Sequence, residues 1–239
     1  MDPRDRLIVA LDTSSLEEAD AVAERLSGIV RWFKVGSELF TAAGPAAVSV
    51  LRPRGRVFLD LKFHDIPATV AGAVAAAARL GVDLVNVHAS GGSPMLRAAQ
   101  EAAERSASST GRRAPTVIAV TVLTSADSPV LDEVGMRGAP AEAALRLAWL
   151  AREAGLAGVV ASPSDAAAIR AACGPGFLIV CPGVRPAGVG RDDQRRVATP
   201  GAAIAAGADL LVIGRPITRA PDPRRAAEEV LREMALAGV

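Results

Sequence analysis

Tyrosine is absent from this chain of 239 residues, and only two Trp and five Phe supply aromatic surface. Successive bases of a nucleic acid would find no stacking platform here. The formal net charge of +1 comes without a basic run long enough to track a phosphate backbone, so a nucleic-acid polymer is excluded as partner while a single nucleotide stays open. Cysteine is nearly missing too. Cys173 and Cys181 stand far from any Cys/His cluster, which excludes a zinc ribbon and a disulfide-stapled secreted scaffold. No apolar run reaches membrane-spanning length. The opening Met1-Asp2-Pro3-Arg4-Asp5-Arg6 is charged, unlike a signal or transit segment, so cytoplasmic residence is expected.

Half of the residues are hydrophobic and 22% are charged, enough apolar material for a large core. No stretch reads as an inter-domain linker, and one domain is expected over residues 1–239. Eight short apolar runs recur along it: Leu7–Leu11, Trp32–Gly36, Val57–Leu61, Leu84–His88, Val117–Leu123, Gly158–Ala161, Phe177–Cys181 and Leu210–Gly214. Each is continuously apolar, as strands of a parallel sheet covered on both faces are. Between them lie segments of helical spacing with recognisable starts. Examples are Ser14/Ser15 before Leu16–Leu26, Ser37 before Glu38–Val50, Ser93-Pro94 before Met95–Arg105, and Ser162-Pro163 before Asp165–Ala172. Eight βα units predict an α/β fold of the (β/α)8 TIM-barrel type, with the active site at the C-terminal strand ends. An open doubly wound sheet is the competing architecture, but Leu11-Asp12-Thr13-Ser14 stands where its Gly-rich fingerprint belongs.

The predicted strand ends carry Asp12, Lys34, Asp60 with Lys62 and Asp65, His88, Thr124 with Ser125, Ser162, and Gly214-Arg215. Asp60 and Lys62, two apart on one strand, should point the same way and form one charged site, either catalytic or a register-fixing ion pair. The lysine count bears on that choice. Of the 27 cationic residues only Lys34 and Lys62 are lysine, and both fall at strand ends. Arginine effectively cannot surrender its proton, whereas lysine can deliver one from a compact head, so a proton-donating role explains a retained lysine. Gly214-Arg215-Pro216 offers a backbone N–H beside a guanidinium that can grip phosphate. The Gly-, Pro- and Arg-rich stretch from Pro182 to Pro200 breaks the alternation where barrel enzymes often bind phosphate, and Gln194, Arg185, Arg191, Arg195 and Arg196 on it could fold over the same anion. His88 and His64 read as structural hydrogen-bonders. A metal site lacks a ligand cluster, and Ser125 lacks the G-x-S-x-G context of a nucleophile.

Phe58-Leu59-Asp60-Leu61-Lys62-Phe63-His64-Asp65-Ile66-Pro67-Ala68-Thr69 resembles the D-x-K-x-x-D region of the orotidine 5'-monophosphate decarboxylase family. Similar matches run along almost the whole chain, among them Val9–Asp12, Phe33–Gly36, Val85–Ala89, Val120–Ser125, Pro182–Pro186, Asp193–Arg196 and Val212–Pro216. Related sugar-phosphate decarboxylases share D-x-K-x-x-D but are magnesium-dependent and carry a glutamate at the end of strand two, where Lys34 stands here. Cys181, where Thr is common, and Ala68 are the departures, and neither touches a charged position. The resemblance implies decarboxylation of orotidine 5'-monophosphate to UMP without cofactor or metal. It implies a charge array of Lys34, Asp60, Lys62 and Asp65, with Lys62 as proton donor. It further implies a homodimer in which Asp65, Ile66 and Thr69 reach the neighbouring site. Asp12 and Lys34 would bind ribose hydroxyls, Thr124 the pyrimidine edge and Pro182 the base. Arg185, Gln194, Gly214 and Arg215 would hold the phosphate, with residues 183–198 as a mobile gripping loop. A catalytically silent nucleotide-binding barrel is the reading from another class, disfavoured by the intact Asp60 and Lys62.

Overall fold

The computed structural model describes residues 2–111, 113–186 and 198–237. Eight parallel strands close into a barrel in chain order: β1 (Leu7–Ala10), β2 (Trp32–Gly36), β3 (Arg56–Phe63), β4 (Leu84–His88), β5 (Thr116–Val120), β6 (Gly158–Val160), β7 (Leu178–Cys181) and β8 (Leu210–Ile213), with β8 pairing back on β1. Helices follow the strands and cover the outside, as right-handed βα crossovers require. The open doubly wound sheet is thereby set aside.

Period-two alternation along the strands sorts the apolar residues into two cores. Ile8, Ala10, Trp32, Phe58, Leu84, Ile118, Val120, Val180 and Val212 fill the barrel interior. Their neighbours Leu7, Val9, Phe33, Val35, Val57, Leu59, Val85 and Val87 point outward and pack with the helices. Continuing the inward parity of Ile8 and Ala10, of Trp32, and of Phe58 reaches Asp12, Lys34 and Asp60, so the packing that fills the barrel also aims these charges at its mouth. At the opposite end, Arg170 clamps β7 and β8. Its guanidinium donates to the carbonyls of Phe177 and Gly207 at 2.7 and 3.0 Å and to Asp209 at 2.5 Å, and Asp209 accepts the Ile179 N–H at 2.7 Å.

Helix boundaries follow local chemistry. Ser15 caps Leu16–Arg25, its hydroxyl accepting the Glu18 N–H at 3.1 Å. The single helix expected over Glu38–Val50 is two, Ser37–Ala43 and Ala46–Leu51, because Gly44 adopts φ +58° and Pro45 follows it. Helix Gly92–Thr110 starts before Ser93-Pro94, and a 3-10 turn at Pro163–Asp165 precedes Ala166–Cys173. β5 stops at Val120, short of the expected Leu123, since its neighbour β6 spans only three residues. Thr121 closes the ladder, its N–H and hydroxyl both donating to the Val160 carbonyl at 3.1 and 3.0 Å.

Candidate active site

A cavity of about 430 Å³ opens at the C-terminal mouth of the barrel. Its lining brings together Asp12, Lys34, Asp60, Lys62, Thr124, Pro182, Arg185, Gly214 and Arg215, residues from five strand ends and the loop after β7. Four of the charges form a chain on one side. Lys34 Nζ lies 2.8 Å from Asp12 Oδ1 and 3.2 Å from Asp60 Oδ2, and Lys62 Nζ lies 2.8 Å from Asp60 Oδ1. Apolar Ala10, Phe58, Val120, Val160 and Val212 form the floor beside it.

Lys34 and Asp60 are both buried. Burial by itself lowers the Lys34 pKa, but Asp60 and then Asp12 outweigh it and hold the group above the ordinary lysine value. Burial likewise pushes the Asp60 carboxyl up, and the opposing charges of Lys34 and Lys62, with hydrogen bonds from Lys62 and Asn86, bring it below the usual carboxylate range. The pair therefore stays ionised inside the protein, each charge sustaining the other.

Asp60 and Lys62 do converge, though not by strand alternation alone. The β3–β4 register shifts between Leu59 and Phe63, and within that bulge Lys62 takes φ +52°, the one positive φ of a non-glycine among the described residues. Such a conformation costs a residue with a Cβ roughly 1–2 kcal/mol. Strain of this kind concentrates where the surrounding structure over-determines a functional side chain.

A profile of the orotidine 5'-phosphate decarboxylase / HUMPS family matches residues 5–230. The chain belongs to this family. An orotidine 5'-phosphate decarboxylase from Moorella thermoacetica is 57% identical over 238 residues, covering 99% of this chain and 94% of that relative. The crystal structure of the orotidine 5'-phosphate decarboxylase from Lactobacillus acidophilus superposes with a TM-score of 0.84 at 38% identity, covering 96% of this chain and 99% of that one. A conserved protein from Geobacillus kaustophilus superposes with a TM-score of 0.83 at 42% identity, over 95% and 99% of the two chains.

Within this decarboxylase-family barrel, Asp65, Ile66 and Thr69 stand apart from the cavity. All three are exposed, Ile66 by 66%, and Asp65 Oδ1 accepts the adjacent Ile66 N–H at 2.6 Å. The array within one chain is thus Asp12, Lys34, Asp60 and Lys62, without Asp65. Gln194 lies outside the described residues, as do positions 187–197 of the expected phosphate loop. Of the described part, Arg185 is buried, bonded through its N–H to the Ala198 carbonyl at 3.0 Å, and Val184 pairs with Ala198. His88 is half-buried, its ring 5.4 Å from that of His64 and tilted 37° to it. Burial, with His64 and Lys62, lowers its pKa.

Besides Glu38 and Arg219, which also line the cavity, two residues that shape the charge array were not evident from the sequence. Gly36 lies where any side chain would collide with the array: a Cβ there would sit 2.8 Å from Lys34 Nζ and 3.1 Å from Asp12 Oδ1. Asn86, fully buried, donates from Nδ2 to Asp60 Oδ1 at 2.7 Å and accepts the Lys62 N–H on Oδ1 at 2.8 Å. Its signal in sequence was an amide inside the otherwise apolar Leu84-Val85-Asn86-Val87.

Proposed function

We propose that this chain decarboxylates orotidine 5'-monophosphate to UMP and CO2 in pyrimidine synthesis, without cofactor or metal, as a cytoplasmic homodimer of one-domain subunits. The observation that carries the reading is the Asp12–Lys34–Asp60–Lys62 chain of contacts at the wall of a nucleotide-sized cavity, in a chain of this family. Lys34 further supports it, because the magnesium-dependent sugar-phosphate relatives carry a glutamate there.

In the reaction, the bond between C6 and the carboxylate breaks and its electron pair stays on C6. That sp2 orbital lies in the ring plane and cannot delocalise into the π system, so fixed charge must supply most of the stabilisation. The Lys62 ammonium faces the developing carbanion and then donates a proton to C6. UMP results, and the lysine amine regains a proton from solvent. Stabilisation by a group already in place needs no reorganisation at the moment of reaction, which is where preorganised charge is most effective. Asp60 holds Lys62 by its 2.8 Å contact and stands near the departing carboxylate. Asp65, Ile66 and Thr69, exposed on each subunit, complete the site of the partner in this reading.

Asp12 and Lys34 bind the ribose hydroxyls, Thr124 the pyrimidine edge and Pro182 the base. Arg185, Gln194, Gly214 and Arg215 take the phosphate, and residues 183–198 fold over it, expelling water and converting remote binding energy into rate. Incubation with orotidine 5'-monophosphate in EDTA, followed by chromatography, should yield UMP and CO2 in equal amounts. Failure with this substrate, together with magnesium-dependent release of CO2 from a 3-keto sugar-acid phosphate, would select the other branch of the family.

A further inference from the structure

Asn86 is fully buried behind the array and is not among the residues that line the cavity. Both ends of its buried amide are nonetheless spent on the catalytic segment. Within the β3–β4 bulge the Lys62 N–H has lost its place in the regular ladder, and Asn86 Oδ1 accepts it at 2.8 Å. Nδ2 donates at 2.7 Å to Asp60 Oδ1, the same oxygen that Lys62 Nζ binds at 2.8 Å. One planar group therefore ties the lysine backbone, the acid and, through the acid, the lysine head. Its orientation is forced, because a backbone N–H demands the carbonyl end and a carboxylate the amide end.

We infer that Asn86 is a positioning residue for the reaction proposed above, locking Lys62 in its left-handed conformation and fixing Asp60 against the ammonium. The inference rests on the decarboxylase reading. The amide supplies an acceptor and a donor together, which neither an apolar nor an ionised acidic side chain can do. Leucine would leave the N–H and the carboxylate oxygen buried without these partners, and aspartate would set a second carboxylate against Asp60. The remaining charges facing Asp60 are Lys34 from β2 and Lys62 from its own strand, with His88 from β4 also acting on it through space.

The test compares wild type, Asn86→Ala and Asn86→Asp for turnover of orotidine 5'-monophosphate, UMP affinity, thermal unfolding and pH dependence. Asn86→Ala should lose about 100-fold in kcat, the scale of a misplaced reacting group, with little change in KM or UMP affinity. In Asn86→Asp, two carboxylates at hydrogen-bond distance must share a proton, so the acid limb of kcat/KM should move to higher pH. A residue that only supports the fold would reduce the folded fraction and leave that limb in place. Wild-type kcat in both variants overturns the inference, and so does a loss matched by unfolding with the acid limb unmoved. If neither variant folds, Asn86 belongs to the fold alone and the positioning role fails. Inactive wild type would instead overturn the decarboxylase reading, and the inference with it.

Discussion

Lys34 remains charged in a buried site because Asp60 and Asp12 flank it at 3.2 and 2.8 Å, and a Cβ at position 36 would sit 2.8 Å from its Nζ. Gly36→Ala should therefore displace the ammonium while sparing the fold, since φ −91° at this position suits any residue. We expect kcat to fall by about 10–100-fold with thermal unfolding nearly unchanged, measured on the same preparation. Asp60→Asn tests the electrostatics. The folded-state pKa of Asp60 is depressed, so its contribution to stability is present above the ordinary carboxylate pKa and lost as pH falls through the depressed value. Wild type should exceed Asp60→Asn by about 3 kcal/mol at neutral pH, with the gap closing on the acid side, in denaturant titrations across pH. Lys34 works in the opposite sense, its contribution being whole below the ordinary lysine pKa and lost as pH rises through its raised value. At this scale the lysines and acids were legible because so few lysines exist to choose from. Asn86 and Gly36 were not: an amide in a strand has many structural uses, and the need for a missing Cβ shows only once Lys34 Nζ has a position.

Elements were legible wherever local chemistry decided them. Eight apolar runs became eight strands, and Ser15 caps its helix as its position suggested. Ser15→Ala should destabilise the protein by about 1 kcal/mol in denaturant unfolding and leave turnover untouched, because the hydroxyl serves only the Leu16–Arg25 terminus. Boundaries set by partners were harder to read. The apolar run through Leu123 outlasts β5 because the length of β6 ends the ladder, a fact held in a distant segment. Gly44-Pro45 splits a helix whose apolar spacing continues across it. The β3 bulge left no mark in Asp60-Leu61-Lys62, since the residue forced to positive φ is a lysine where glycine would have signalled it.

The closed barrel carries its charges to one mouth because the same parity that fills the interior continues to the strand ends, which made the position of the site legible before its detail. Asp65 is the exception, exposed and outside its own chain's array. If it completes the partner's site, mixing Asp65→Ala with Lys62→Ala should restore activity that neither has alone. Random exchange gives one intact site in each mixed dimer, about a quarter of wild-type sites. No recovery after demonstrated subunit exchange would contradict the shared site. The central claim, that Lys62 in a preorganised charge array performs the reaction, is tested most directly by following the absorbance of orotidine 5'-monophosphate in EDTA with wild type and Lys62→Ala side by side. Wild type should consume the substrate without metal, and a folded Lys62→Ala that still binds UMP should not. Turnover that survives the substitution, or folded wild type that leaves saturating substrate intact, would contradict it.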